Sequence, residues 1–328
     1  MRTRTFKRSA MLVLLSTGMF GSYCAIAQDK YPTKMVRLAV GFSPGGAVDV
    51  SARIVMQKVS EFLGQQVIVE NRPGADGILA GDFVAKSAPD GHILAYVSAG
   101  HTMNPATRGK SMPYHPLKSF APVSLVAIGA QVLVVNPSVP ARNVSELVEL
   151  ARKRPGQINF ASSGTGGPTH LAAELLKSMA KIDMVHVPYK GGAPALNDVI
   201  SGQLELTFIG APAALPHVRS GRLRLLAVTT PKRMSTMPDV PTIAEQGYPG
   251  YDVNASYSVL APAATAPAVV TRLSTEIAKA VKVPDVREKL LNLGVEPVGS
   301  TPEELTNFLQ SELAKWTKLV NALGLAEK

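Results

Sequence analysis

Val36-Arg37-Leu38-Ala39-Val40-Gly41-Phe42-Ser43-Pro44-Gly45-Gly46-Ala47-Val48-Asp49 opens on an apolar, β-branched pentad and runs into a glycine loop. Beyond it, Val48, Val55, Val59 and Phe62 are spaced by seven, four and three, the spacing of one helix face, and Gly64 stops the run. A strand that feeds a glycine loop and then an amphipathic helix is the repeating unit of a parallel α/β sheet. The unit recurs: a strand over 66–70, a turn at Asn71-Arg72-Pro73-Gly74, a helix over 78–87 and a strand over 92–97.

Past Pro116 the pattern changes to two consecutive strand-like runs, 123–128 and 131–135, and then a helix over 145–153 with Ser145 as N-cap. Strands at 158–161, 184–187, 204–209 and 223–229 follow, the first two leading through glycine loops into helices at 168–179 and 194–200. The Pro- and Gly-rich stretch 231–250 reads as a surface connection and 256–260 as a returning strand. Helices over 268–281, 285–293 and 302–323 finish the chain, the last predicted to pack back on the first lobe. The expectation is an α/β protein of two lobes, each a mainly parallel sheet flanked by helices. Lobe 1 comprises 28–127 with 255–328 and lobe 2 comprises 128–254, with a ligand cleft between them.

Length and composition agree with a packed chain of this kind. Its 328 residues are 46% apolar and 18% charged, which excludes a disordered chain. Aromatic residues make up only 5%, which disfavours recognition by base stacking. The net charge of +10 includes Arg2, Arg4, Lys7 and Arg8, which precede an apolar run over 10–20 and then Ala25-Ile26-Ala27. That is the pattern of a secretory leader over 1–27, cleaved after Ala27, and it predicts a periplasmic protein. The remaining basic excess contains no run of five like charges, so no nucleic-acid partner is expected. The single cysteine, Cys24, falls inside the leader behind the bulky Tyr23, which does not fit a lipid-anchor cleavage site. A mature chain without cysteine has no disulfide, thiolate nucleophile or thiolate-bound metal. Beyond the leader no apolar stretch reaches the roughly 18 residues that a membrane span needs.

Three strand-to-helix junctions share one design: 42–49, Ser162-Ser163-Gly164-Thr165-Gly166-Gly167-Pro168-Thr169-His170, and Tyr189-Lys190-Gly191-Gly192-Ala193-Pro194. Glycines let the backbone approach a ligand, and the first N–H groups of a helix lack internal partners, so such ends accept a carboxylate or phosphate. Drawn from both lobes, the loops predict one shared cleft. Asp49 reads either as a loop brace or as a pocket acceptor, and His170, in the first turn of its helix, as a candidate contact. Lys190 and Arg53 are cations near the same loops.

Enzyme motifs fail on inspection. A dinucleotide fingerprint at Gly164-Thr165-Gly166 lacks its third glycine, replaced by Thr169. Arg108-Gly109-Lys110-Ser111 imitates a P-loop ending, but Asn104 stands where the first glycine belongs and Met112-Pro113 breaks the following helix. The six histidines, His92, His101, His115, His170, His186 and His217, form no HExxH string. The expectation is a non-enzymatic binding protein with no cofactor and no metal.

At these loops the sequence resembles the solute-binding receptors of tripartite tricarboxylate transporters, the Bug family. The resemblance is carried by Tyr31-Pro32, Phe42-Ser43-Pro44-Gly45-Gly46 with Asp49, Val69-Glu70-Asn71-Arg72-Pro73-Gly74-Ala75, Pro89-Asp90-Gly91 and Asn104-Pro105. It continues through Phe120-Ala121-Pro122-Val123-Ser124, Ser163-Gly164 with His170-Leu171, Val185-His186-Val187-Pro188-Tyr189-Lys190-Gly191, Leu215-Pro216-His217, Asp239-Val240-Pro241-Thr242 and Leu260-Ala261-Pro262.

What the resemblance implies is a type II-like, two-lobed periplasmic binding protein that closes around a small organic carboxylate and presents it to integral membrane permease subunits. It implies that the first glycine loop and the Ser-Gly loop hold a carboxylate, partly through ordered water. Carried onto this chain, the ligand-binding residues are Phe42, Ser43, Gly45, Gly46 and Asp49 from the first loop. From the second come Ser162, Ser163, Gly164, Thr169 and His170, with Ser98, Asn104 and Tyr189 at the margins.

Two departures narrow the ligand. Val48 stands where many relatives have Thr, and Ile209 where many carry an Asp suited to an amino group, so a plain mono- or dicarboxylate, aromatic acids included, is favoured over an α-amino acid. The protein is expected to act as a monomer. A periplasmic sensor subunit, and an exported hydrolase or lyase acting on organic acids, are the alternatives.

Overall fold

The computed structural model describes residues 31–189 and 191–327; the leader over 1–27 with Cys24, and Lys190, lie outside the described residues. The order is β1 (Val36–Val40), α1 (Ala47–Leu63), β2 (Val67–Asn71), α2 (Ile78–Ala85), β3 (Ile93–Val97), α3 (Gly100–Arg108) and β4 (Phe120–Val135). Then come α4 (Val144–Lys153), β5 (Asn159–Ser162), α5 (Pro168–Ala180), β6 (Val185–Pro188), α6 (Gly192–Ile200), β7 (Leu206–Gly210), α7 (Ala211–Arg219) and β8 (Arg224–Val228). β9 (Asn254–Pro262), α8 (Pro267–Ala280), α9 (Pro284–Asn292), β10 (Val295–Pro297) and α10 (Pro302–Leu323) complete the chain.

The strands pair in the order β2-β1-β3-β9-β4-β7-β5-β6, with β8 and β10 also on β4. β1 is parallel to β2 and β3, and β5 to β6 and β7, so each end of the sheet is built from the predicted strand-loop-helix units. The centre is antiparallel, and it corrects one expectation. The runs 123–128 and 131–135 are one strand, β4, not two. Gly129 and Ala130, which separate the runs in sequence, pair with Ala255 and Asn254 of β9, and Val295 of β10 flanks Gly129 on the other side. With the ladder supplied from both sides, the small residues stay extended. From Gln131 onward β4 changes partners to β7 and β8.

Other differences are local. α4 is capped by Asn143, whose side chain accepts from the Glu146 N–H at 2.8 Å, and not by Ser145. The stretch 231–250 is more than a surface connection, because it buries Met234, Met237 and Ile243 against the sheet. α10 does not lie on the first lobe alone. Leu305 and Leu309 pack with Ile78 and Phe120, whereas Trp316, Leu319 and Val320 pack with Met103, Phe160 and Leu171. One apolar face that turns through both cores ties the two halves together. Trp316 is fully buried and satisfies its indole N–H by donating to Glu312 Oε2 at 3.0 Å.

Candidate functional site

The first loop hangs on Asp49. Its carboxylate is buried and accepts from the Gly45 N–H at 2.9 Å, Asn71 Nδ2 at 2.8 Å and Arg53 Nε at 3.0 Å. Burial alone would raise its pKa; the hydrogen bonds from Arg53, Gly45 and Asn71 outweigh that and hold the carboxyl below its ordinary value. With its oxygens engaged in this way, Asp49 braces the loop. Ser43, Gly45 and Gly46 are exposed, and the N–H groups of Gly46, Ala47, Val48 and Asp49 at the start of α1 have no partner among the described residues.

The second loop is held from beneath in the same manner. Ser163 N–H donates to Thr169 Oγ1 at 2.8 Å, Gly164 N–H to Ser162 Oγ at 3.2 Å, and Gly166 N–H to His170 Nδ1 at 3.0 Å. Accepting at Nδ1 puts the ring proton of His170 on Nε2, which faces Glu174 Oε1 at 3.7 Å. Burial would raise the Glu174 pKa, but His170 and Lys177, the latter donating at 2.8 Å, keep it low. The His170 ring is 2% exposed and lies against His186, centroids 3.8 Å apart, with Phe160 flanking both. The side chains of His170, Ser162 and Thr169 therefore support the loop. The N–H groups left without partners among the described residues are those of Thr165, Gly167, Thr169 and His170, at the start of α5.

The third loop supports the second: Tyr189 N–H donates to Ser162 O and Gly191 N–H to Ser163 O. The Tyr189 hydroxyl bonds to Asp198, and that bond raises its pKa.

Ser162 Oγ and His186 Nε2 lie 2.6 Å apart, the spacing of a nucleophile and its base. Ser162 is 0% exposed, however, and its hydroxyl also meets Gly164 O, so no substrate carbonyl reaches it. Burial lowers the His186 pKa to about 4, a value too low for a base working near neutrality. Among the described residues no group of three or more His, Cys, Asp or Glu is placed to hold a metal ion.

The cleft itself, about 210 Å³, runs between α3 and the Ser163–Gly167 loop. Of the predicted residues, Asn104, Ser163 and Gly164 line it. Phe42 and Ser98 line instead a small adjoining cavity of about 10 Å³. Gly166 approaches α3 so closely that a Cβ on it would sit 3.2 Å from Thr107 Cγ2, and its φ of +78° suits glycine.

Sequence reasoning missed Asp76, Thr107, Arg108 and Glu327, all on the cleft. Asp76 was within reach of it: an acid at a strand-to-helix turn on the ligand edge of the sheet. Thr107 and Arg108 lie on α3, a helix with Pro105 inside and Met103 as its one large apolar residue, and Glu327 follows α10.

The model of the tripartite tricarboxylate transporter family receptor matches residues 51–325. The chain belongs to this receptor family. Protein BugT of Bordetella pertussis is 36% identical over 312 residues, 93% of this chain and 94% of BugT. Among solved structures, an R. palustris protein described with adipate is 36% identical, covers 90% of this chain and 99% of its own, and superposes with a TM-score of 0.79. The Rhodopseudomonas palustris protein MatC, with bound malate, is 31% identical, covers 88% of this chain and 100% of its own, and has a TM-score of 0.75. As a member of this receptor family the chain has the two-lobed periplasmic binding protein fold. No described helix is long and apolar enough to cross a membrane.

Proposed function

We propose that the protein is a periplasmic receptor that captures a small organic carboxylate between α3 and the Ser163–Gly167 loop and delivers it to integral membrane permease subunits of a tripartite tricarboxylate transporter. It is exported by a leader removed after Ala27 and works as a monomer without enzymatic activity. Lobe 1, 28–127 with 255–328, and lobe 2, 128–254, close on the ligand, whose contacts from both sides stabilise the closed state.

The observation that carries this reading is the second loop. Ser162, Thr169 and His170 spend their polar atoms fixing it, and the N–H groups that remain lie together at a helix start beside the cleft. Donors fixed before the ligand arrives suit an anion, because little order is lost on binding. Adipate and malate, described with two relatives, are the first compounds to try.

A thermal-shift screen of the leaderless protein against mono-, di- and tricarboxylates, with calorimetry on the hits, tests the proposal. A ligand at a hundred times its Kd adds about 2.7 kcal/mol to stability. A saturable shift from a carboxylate supports the receptor reading, and a folded, ligand-free protein that responds to no carboxylate overturns it.

A further inference from the structure

Asp76 is the acid of this cleft that the carboxylate reading does not use. It lies in the turn between β2 and α2 with φ +53° and ψ +39°, a left-handed conformation that aspartate tolerates better than most side chains. That geometry puts it on the wall shared by the 210 Å³ cleft and the small cavity behind it. One carboxylate oxygen rests over Gly100 at the start of α3, where a Cβ would overlap it. Asn104 Nδ2 donates to the Asp76 backbone oxygen at 3.3 Å and fixes the turn. Among the described residues no cation lies within ion-pair distance of the Asp76 carboxylate. The other charges on the cleft are Arg108 and Glu327, and Glu327 is turned to Ser111 Oγ at 3.0 Å.

The lining of the cleft thus carries groups of both signs. Arg108 and the free N–H groups at the start of α5 suit one carboxylate. Asp76 offers the rest of the ligand an acceptor, and it meets a second ionised carboxylate with like charge. We propose that Asp76 sets the ligand class: the cleft selects carboxylates that also carry a hydrogen-bond donor, an ammonium or hydroxyl group, over dicarboxylates of the same length. The inference rests on the receptor reading above and deepens it. Burial pushes the pKa of Asp76 up to about 6 against the opposing pull of Asn104 and of the Arg108 charge, and the carboxylate form still dominates at neutral pH.

The test is calorimetry at pH 7.5 with 6-aminohexanoate, 6-hydroxyhexanoate and adipate, which differ at one end only, on the wild-type protein, Asp76→Asn and Asp76→Gly. Both replacements tolerate the left-handed turn, so both variants are expected to fold, as circular dichroism checks. The wild-type protein is expected to prefer the donor-bearing acids over adipate by about tenfold, the worth of one charge-assisted hydrogen bond, and both variants to bring that ratio near one. A wild-type protein that binds adipate as well as or better than the other two overturns the role of Asp76 and leaves the receptor reading standing. A ratio unchanged in both variants does the same. If none of the three acids and no other carboxylate saturates the wild-type protein, the receptor reading falls and this inference with it.

Discussion

Asp49 and His170 each spend their polar atoms on the backbone of the loop that they follow. Replacing Asp49 with Ala strands the Gly45 N–H, Asn71 and Arg53 together, and is expected to cost about 1–3 kcal/mol in urea denaturation and to weaken carboxylate binding by loosening the loop. A variant as stable as the wild type would show that the brace contributes nothing. Because its pKa is lowered by folding, the contribution of Asp49 is complete above the ordinary carboxylate range and is lost as the pH falls below about 4. Sequence alone picked out both residues, since an acid and a histidine in the first turn after a glycine loop stand out. It did not separate contact from support, because that depends on where the oxygens and ring nitrogens point. His101 is a parallel case: it reads as one histidine among six, yet it is buried with Nε2 at 2.8 Å from Pro116 O.

At the scale of elements, the strands and helices with clean periodicity are where the sequence places them: β1, α1, β3, α5 and α10 agree to within a few residues. The failures have local causes. α3 and α7 carry Pro105 and Pro216 inside, which read as breakers, but each helix is short and forfeits only one hydrogen bond to its proline. β10 has three residues and exists because β4 offers it a partner. The missing α3 is what hid half of the cleft. Its approach to the second loop makes a sharp prediction: Gly166→Val, forced to a positive φ and pressed on Thr107, is expected to weaken ligand binding at least tenfold by calorimetry. Its far-ultraviolet circular dichroism should be unchanged. Wild-type affinity in that variant would mean that the loop and α3 need not approach when ligand is bound.

The whole molecule titrates as well as binds. Burial lowers the pKa of His101 and of His186 to about 4, so the fold keeps both rings neutral; their contribution to stability is complete above about 6.5 and is lost as the pH falls toward 4. Asp76, raised to about 6, acts in the opposite sense, its contribution fading as the pH rises through that value. Two rings outweigh one carboxyl that stays open to the cleft, so the melting temperature should be lower at pH 5 than at pH 7. A flat or rising profile in scanning calorimetry would show that folding does not hold the rings neutral. The second half of α10 buries Trp316 in the core that also receives Met103 of α3. Trp316 is the chain's single tryptophan, with the Glu312 carboxylate at its indole and the Lys315 ammonium 4.8 Å from its ring. Any shift of α3 around a bound carboxylate changes the field at that one fluorophore. The protein therefore carries its own optical gauge: its emission should move with the same midpoint that calorimetry gives, with no dye attached.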